Sequence, residues 1–203
     1  MPLQNRVTPA GELVADPARG LLMGNRGGRF HDPRTRSLGK RRHASKAWII
    51  CLTAFRDHPA RTVWGQGYTE LFFLDEVTAL AAGHRPCAEC RRAAARAFQD
   101  ALARETGESL ALPDIDRRLH GERRDGRAKQ VHLVSAESLP EGAVILDGGS
   151  PYAVQQDAVR AWSFAGYGPA RALPAGTVPC LTPPLSLAAL RGGYAPVWHP
   201  TAT

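Results

Sequence analysis

The sequence predicts an α+β protein in two parts, and three observations carry that prediction. The Ala-rich run RRAAARAFQDALARE (91–105) reads as a single helix, because Ala, Arg and Glu lose little on entering one. Two short apolar runs, KAWIICLTAF (46–55) and TELFFL (69–74), have the aromatic and β-branched content of buried strands bounded by polar segments. Beyond Val131, short apolar stretches are cut by Gly and Pro, the pattern of small antiparallel strands. The chain therefore divides near residue 132. A basic α+β part (1–132) precedes a small, mainly antiparallel β part (133–203), which either forms its own domain or completes the first core.

The elements follow in order. Residues 1–46 are rich in Gly, Pro and Arg with little helical period, and no strand is assigned there. RDHPARTVWGQGY (56–68) is a loop. DEVTALAAG (75–83) is a helix with Asp75 as N-cap and Gly83 as its stop. His84-Arg85-Pro86 turns the chain into Cys87. A short helix is expected around DIDRRLHGER (114–123), within a polar stretch. AVILD, a turn at Gly148-Gly149, PYAV, AWSF and TVPCL follow as strands, and SLAALRGGY as a last short helix. No internal repeat is evident.

Charge narrows the classes of partner. Through His132 there are 23 Lys+Arg against 15 Asp+Glu, and afterwards 3 against 4, so the whole excess behind the net +7 lies in the first part. Of the 26 basic residues 23 are Arg, whose planar fork of donors suits phosphate. Such a basic face implies a polyanion, and nucleic acid, DNA before RNA, is the expected partner. High-GC codon usage is the bland alternative, since it raises Arg and Ala together. No apolar run approaches the roughly 20 residues of a membrane helix. The N-terminal residues lack the apolar core of a secretory signal, so a cytoplasmic location is expected.

Four cysteines are too few for a secreted disulfide framework, and a close pair in a cytosolic chain points to metal or redox chemistry. In ALAAGHRPCAECRR (79–92), Cys87 and Cys90 lie on a tight turn before a helix, with Arg85, Arg91 and Arg92 favouring thiolate. Both sulfurs can then reach one ion at about 2.3 Å. A redox pair would normally open a helix directly after a strand, whereas here a helix precedes it. Zinc is the expected metal.

FFLDEVTALAAGHRPCAEC (72–90) resembles the second half of the Ada-type metal-binding domain of bacterial alkylation-repair proteins, and Trp48-Ile49-Ile50-Cys51 resembles the strand and first cysteine of its first half. The likeness spans about residues 46–92, with His84 in place of an aromatic residue. It implies a zinc site in a DNA-binding module, and aligns Cys51 with the thiolate that accepts a methyl group in that family. The family's second cysteine would fall at Phe55, so His58 is the nearest replacement and the implied ligands are Cys51, His58, Cys87 and Cys90. His43 and His31 are further candidates. A rival set joins Cys87 and Cys90 to His120 and His132. A zinc deaminase is excluded, because no His-x-Glu or Cys-x-Glu lies at the required distance upstream of the pair.

LHGERRDGRAKQVH (119–132) brings His120, Glu122 and His132 close to Arg123, Arg127 and Lys129. Hydrolysis or lyase chemistry on nucleic acid would use such a set, with His or Glu moving a proton and the cations holding phosphate. A solvated, charge-laced loop is the alternative. GNRGGRFH (24–31) is a candidate phosphate-contacting loop through its glycines, Arg26 and Arg29, although it matches neither a P-loop nor a dinucleotide fingerprint. Arg41, Arg42, Arg85 and Arg91 complete the expected nucleic-acid-binding set. Glu70 is read as a paired surface carboxylate before a general base, and Cys180 as a buried strand thiol. The expected function is a zinc-containing protein acting on damaged or modified DNA, with hydrolase or lyase repair chemistry. A non-enzymatic zinc module that regulates transcription or recruits a partner is the alternative, and a metal-dependent nuclease the third reading.

Overall fold

The computed structural model describes residues 1–55, 62–126 and 128–202. In chain order, β1 (Arg6–Val7), β2 (Leu13–Val14) and β3 (Leu22–Arg26) lead to a small hairpin, β4 (His31–Asp32) and β5 (Ser37–Leu38). Next come β6 (Trp48–Leu52), β7 (Leu71–Phe73), α1 (Glu76–Ala81), β8 (Arg85–Pro86), α2 (Arg92–Thr106) and α3 (Leu112–Arg123). A second small hairpin, β9 (Arg124–Asp125) and β10 (Ala128–Lys129), precedes β11 (His132–Ser135), β12 (Val144–Asp147), β13 (Ser150–Gln155), β14 (Ala158–Ser163), β15 (Gly166–Ala172), β16 (Thr177–Cys180) and α4 (Pro184–Arg191). The mixed α+β class is thus observed. Among the described residues, no helix is long and apolar enough to cross a membrane.

The first sheet runs β2-β1-β7-β3-β6-β8, so the N-terminal residues, to which the sequence assigns no strand, are woven into it. β3 lies antiparallel to both β6 and β7. Only a glycine can occupy position 24 there: a Cβ would sit 2.2 Å from the Ile49 carbonyl oxygen and 2.8 Å from the Phe73 ring. The second sheet, β11-β16-β12-β13-β14-β15, is antiparallel throughout. The expected strands at AVILD, PYAV, AWSF and TVPCL are found, with positive φ at Gly148 and Gly149 between the first two. β15 was not expected, since GYGPARA has the composition of a loop. Pro169 is tolerated because β15 is an edge strand.

α1 starts and stops where the sequence places its signals. The Asp75 carboxylate accepts from Thr78 N at 2.9 Å, and Gly83 leaves the helix at φ +83. At Gly83 a Cβ would meet the Arg123 side chain at 2.6 Å, so this turn also seats an arginine from α3. α2 buries Ala95, Phe98, Ala101 and Leu102 at helical spacing and ends at left-handed Gly107. Its partner is α4: a side chain at Gly192 would strike the Ala101 carbonyl at 2.0 Å.

The cores cross the boundary near residue 132. Leu185, Ala189, Leu190 and Tyr194 pack with Phe98, Leu102 and Leu119, while Val144, Tyr167 and Leu181 pack with Leu74, Val77 and Ala81. A buried pair of acids reinforces this union. Asp75 accepts from Tyr167 Oη and His199 N, while Glu76 accepts from Tyr194 Oη, Val197 N and both terminal nitrogens of Arg91. Glu70 corrects its surface assignment. It is buried, and its carboxylate accepts from Trp64 N at 2.9 Å, holding a non-glycine residue at φ +60.

Candidate metal centre and cationic cavity

Strand register explains why cysteines 36 residues apart meet. β8 runs parallel to β6 with Ile50 opposite Pro86, so the next residue on each strand is a cysteine. Cys87 N donates to the Ile50 carbonyl at 2.9 Å, locking that register as the chain leaves β8. The turn Cys87-Ala88-Glu89-Cys90 then closes through Arg91 N to the Cys87 carbonyl at 3.1 Å and enters α2. The sulfurs of Cys51, Cys87 and Cys90 lie within 4.8 Å of one another, so the three could hold one metal ion. Cys51 and Cys87 are buried and Cys90 half-buried. Hydrogen bonding from the Cys51 thiol, helped by Glu89 N, holds Cys87 below its ordinary thiol value, while Cys51 is pushed up as the donor. A cluster that already favours one thiolate is poised for a cation.

Neither His120 nor His132 belongs to this group, so the rival ligand set is not assembled. His58, the expected fourth ligand, lies outside the described residues, as does Arg127. His31 is occupied elsewhere, bonding Thr69 Oγ1 and the Gly65 carbonyl.

Alternation along β6 turns Trp48 to the side opposite Cys51. There, Arg26 and Arg123 both stack on the Trp48 indole, their guanidinium carbons 3.9 and 3.8 Å from the ring centroid. Each arginine is 1% exposed, as deep as the hydrophobic core. Arg26 bonds the Gly11 carbonyl, the Arg42 carbonyl and His84 Nε2, and Arg123 bonds the Gly83 and Lys46 carbonyls and His120 Nδ1. Lys129 Nζ donates to the Ala81 carbonyl at 2.6 Å. Together with Arg42 and Arg124, these three cations line a cavity of about 380 Å³. Burial, then the neighbouring positive charges, drives His84 well below its usual range and His120 down to about 4.

Lys129 offers a test of this environment. Burial lowers it from 10.5 to about 7, with Arg123 and Arg26 pressing in the same direction and Cys180 opposing. The unfolded chain then holds this proton more tightly than the folded one, so the group makes stability rise with pH between about 7 and 10.5. The urea midpoint is expected to climb from pH 7 to 9 in the wild type and to climb less in Lys129→Met. Equal slopes would show that Lys129 is not buried among cations.

Sequence-predicted residues are distributed unevenly around these features. In GNRGGRFH, the first three residues are strand β3, and a Cβ at Gly27 would overlap Ser45 Oγ at 1.7 Å. These glycines serve backbone packing, which corrects their assignment to a ligand loop. Arg29 and Arg41 border a separate surface groove, and Arg29 reaches Gln66. Arg85 and Arg91 are withdrawn from any basic face: Arg85 forms a bidentate pair with Asp116 at 2.8 Å, and Arg91 one with Glu76. Glu122 accepts from Leu185 N at 2.8 Å at the start of α4, and His132 Nε2 bonds the Glu122 carbonyl. His120 instead faces Arg123 and His43, so the expected catalytic trio is not gathered on one surface.

No protein-family model matches this chain, and neither a curated protein nor a solved structure matches it. The likeness to the Ada-type domain rests on residues 46–92 alone.

Proposed function

We propose that this chain is a zinc-thiolate protein that binds DNA, with damaged or modified DNA as its target. The observation that carries the reading is the convergence of Cys51 with the Cys87/Cys90 turn. Three thiolate donors form the soft set that suits zinc, and a histidine such as His58 would complete a tetrahedral site. Zinc there would supply a rigid tie between β6, β8 and the start of α2. The burial of Cys51 favours that structural role over a methyl-accepting one. The nucleic-acid half of the reading is supported by the Arg excess and by the exposed Arg41 beside Arg29. Repair chemistry of the hydrolase or lyase kind would draw on His120, the one member of the trio that faces the cations.

Elemental analysis is expected to find one zinc per chain in the wild type and substoichiometric zinc in Cys51→Ser and His58→Ala. A wild type without zinc overturns the metal reading. Duplex affinity is expected to fall linearly in log salt, and the joint substitution Arg29→Ala with Arg41→Ala to flatten that slope by about 2 units. A salt-independent affinity removes the DNA reading. Loss of turnover in His120→Ala, with zinc and DNA affinity kept, separates an enzyme from a binding module.

A further inference from the structure

Arg26 and Arg123 are buried against one indole, half-buried Lys129 lines the same cavity, and among the described residues no carboxylate lies within ion-pair distance of any of them. Asp116, the nearest acid to influence Arg123, is taken by Arg85. Glu12 lines the same cavity but is exposed. Burying a cation without counter-charge is strongly unfavourable in a low-dielectric interior. Stacking on Trp48 offsets part of that cost, and carbonyl acceptors a further part.

Donor accounting sharpens the point. A guanidinium carries five N–H groups and an ammonium three. Arg26 uses three, through Nε, Nη1 and Nη2, and keeps two. Arg123 uses three on its terminal nitrogens, and its buried Nε has no acceptor. Lys129 uses one. Fixed donors and buried positive charge therefore surround one cavity whose 380 Å³ falls within the range of small-ligand sites.

We propose that this cavity binds a phosphate monoester of nucleotide size, either a free nucleotide or the phosphorylated end of a nucleic-acid strand. A monoester carries about 1.5 to 2 negative charges near neutrality, where an internal phosphodiester carries one. Buried Arg26 and Arg123 with half-buried Lys129 match the former, whereas the latter would leave these cations undercompensated. The cavity is also lined by Gln4, Leu13, Val14 and Ala128, partners for a sugar and base and not for a second phosphate. Arg42 and Arg124 also line the cavity and favour entry of an anion. The choice of a nucleotide over another phosphorylated molecule rests on the nucleic-acid reading above.

The test is calorimetric titration at constant ionic strength with inorganic phosphate, adenosine monophosphate, adenosine, and a short single strand phosphorylated at its 5′ end, its 3′ end or neither. The monophosphate is expected to bind at least 10-fold tighter than adenosine, and one phosphorylated strand at least 10-fold tighter than the unphosphorylated one. Lys129→Met should weaken monophosphate binding 10-fold or more, and Arg42→Ala, on a half-buried residue, should weaken it in the same direction if the first variant fails to fold. Absence of monophosphate binding overturns the inference, as does binding unchanged in the folded variants. Monophosphate binding beside strands that bind equally with and without a terminal phosphate upholds the pocket for a free nucleotide and leaves the nucleic-acid reading standing. Monophosphate binding with no strand binding upholds the pocket and removes that reading.

Discussion

Replacing Glu76 with Gln is expected to cost about 3–5 kcal/mol of folding stability, the range seen when one partner of a buried ion pair is removed. Glu76 is fully buried, and both of its oxygens are committed. They accept from Arg91 at 2.6 and 2.8 Å, from Tyr194 Oη at 2.6 Å and from Val197 N at 3.0 Å. Gln keeps the shape but replaces one acceptor with an NH₂ that meets only donors. It also leaves Arg91, whose side chain is 8% exposed, without its counter-ion. For a chain of this size the loss corresponds to a fall in melting temperature of roughly 6–20 °C. Urea denaturation checks it, and a loss below about 1 kcal/mol would show that water reaches the pair. A double-mutant cycle with Arg91→Met should be strongly non-additive, because the second substitution removes the stranded charge.

That acid also shows what the sequence makes legible and what it does not. Asp75 as a cap, Gly83 as a stop and the two-cysteine turn are local signals, readable because each acts within four residues. Glu76 is one residue from the cap, yet nothing nearby says that it collects the C-terminal tail from Tyr194 to Val197. That partnership exists only once α4 has packed on α2. Cys51 was reachable only through a resemblance, since the register of β6 on β8 is written in no short stretch. The largest blind spot is charge. Arg26, Arg85, Arg91 and Arg123 read as a basic surface because arginine is rarely buried, yet Arg26, Arg85 and Arg123 are buried and the Arg91 side chain is only 8% exposed. The same prior placed Glu70 on the surface. Glycine misled in the opposite sense, since Gly24 and Gly27 are needed for close backbone packing in β3 and at Ser45.

Trp48 is where the buried charges are tied to the fold, and its substitution separates electrostatics from volume. With two guanidinium carbons under 4 Å from its ring, the indole supplies a negative face that no aliphatic side chain has. Trp48→Leu and Trp48→Phe both leave space at a site only 2% exposed, and both should cost stability. Leu is expected to lose about 3–5 kcal/mol and Phe about 1–2 kcal/mol less, because Phe retains a weaker quadrupole for the two desolvated cations. If the two variants are equally stable in urea, the arginines are held by their carbonyl partners alone and the ring is mere filling. If Leu falls well below Phe, then the fold tolerates Arg26 and Arg123 through the ring. The indole would then keep two charged groups at the cavity wall with donors to spare, an arrangement that a purely structural pair of cations would not need.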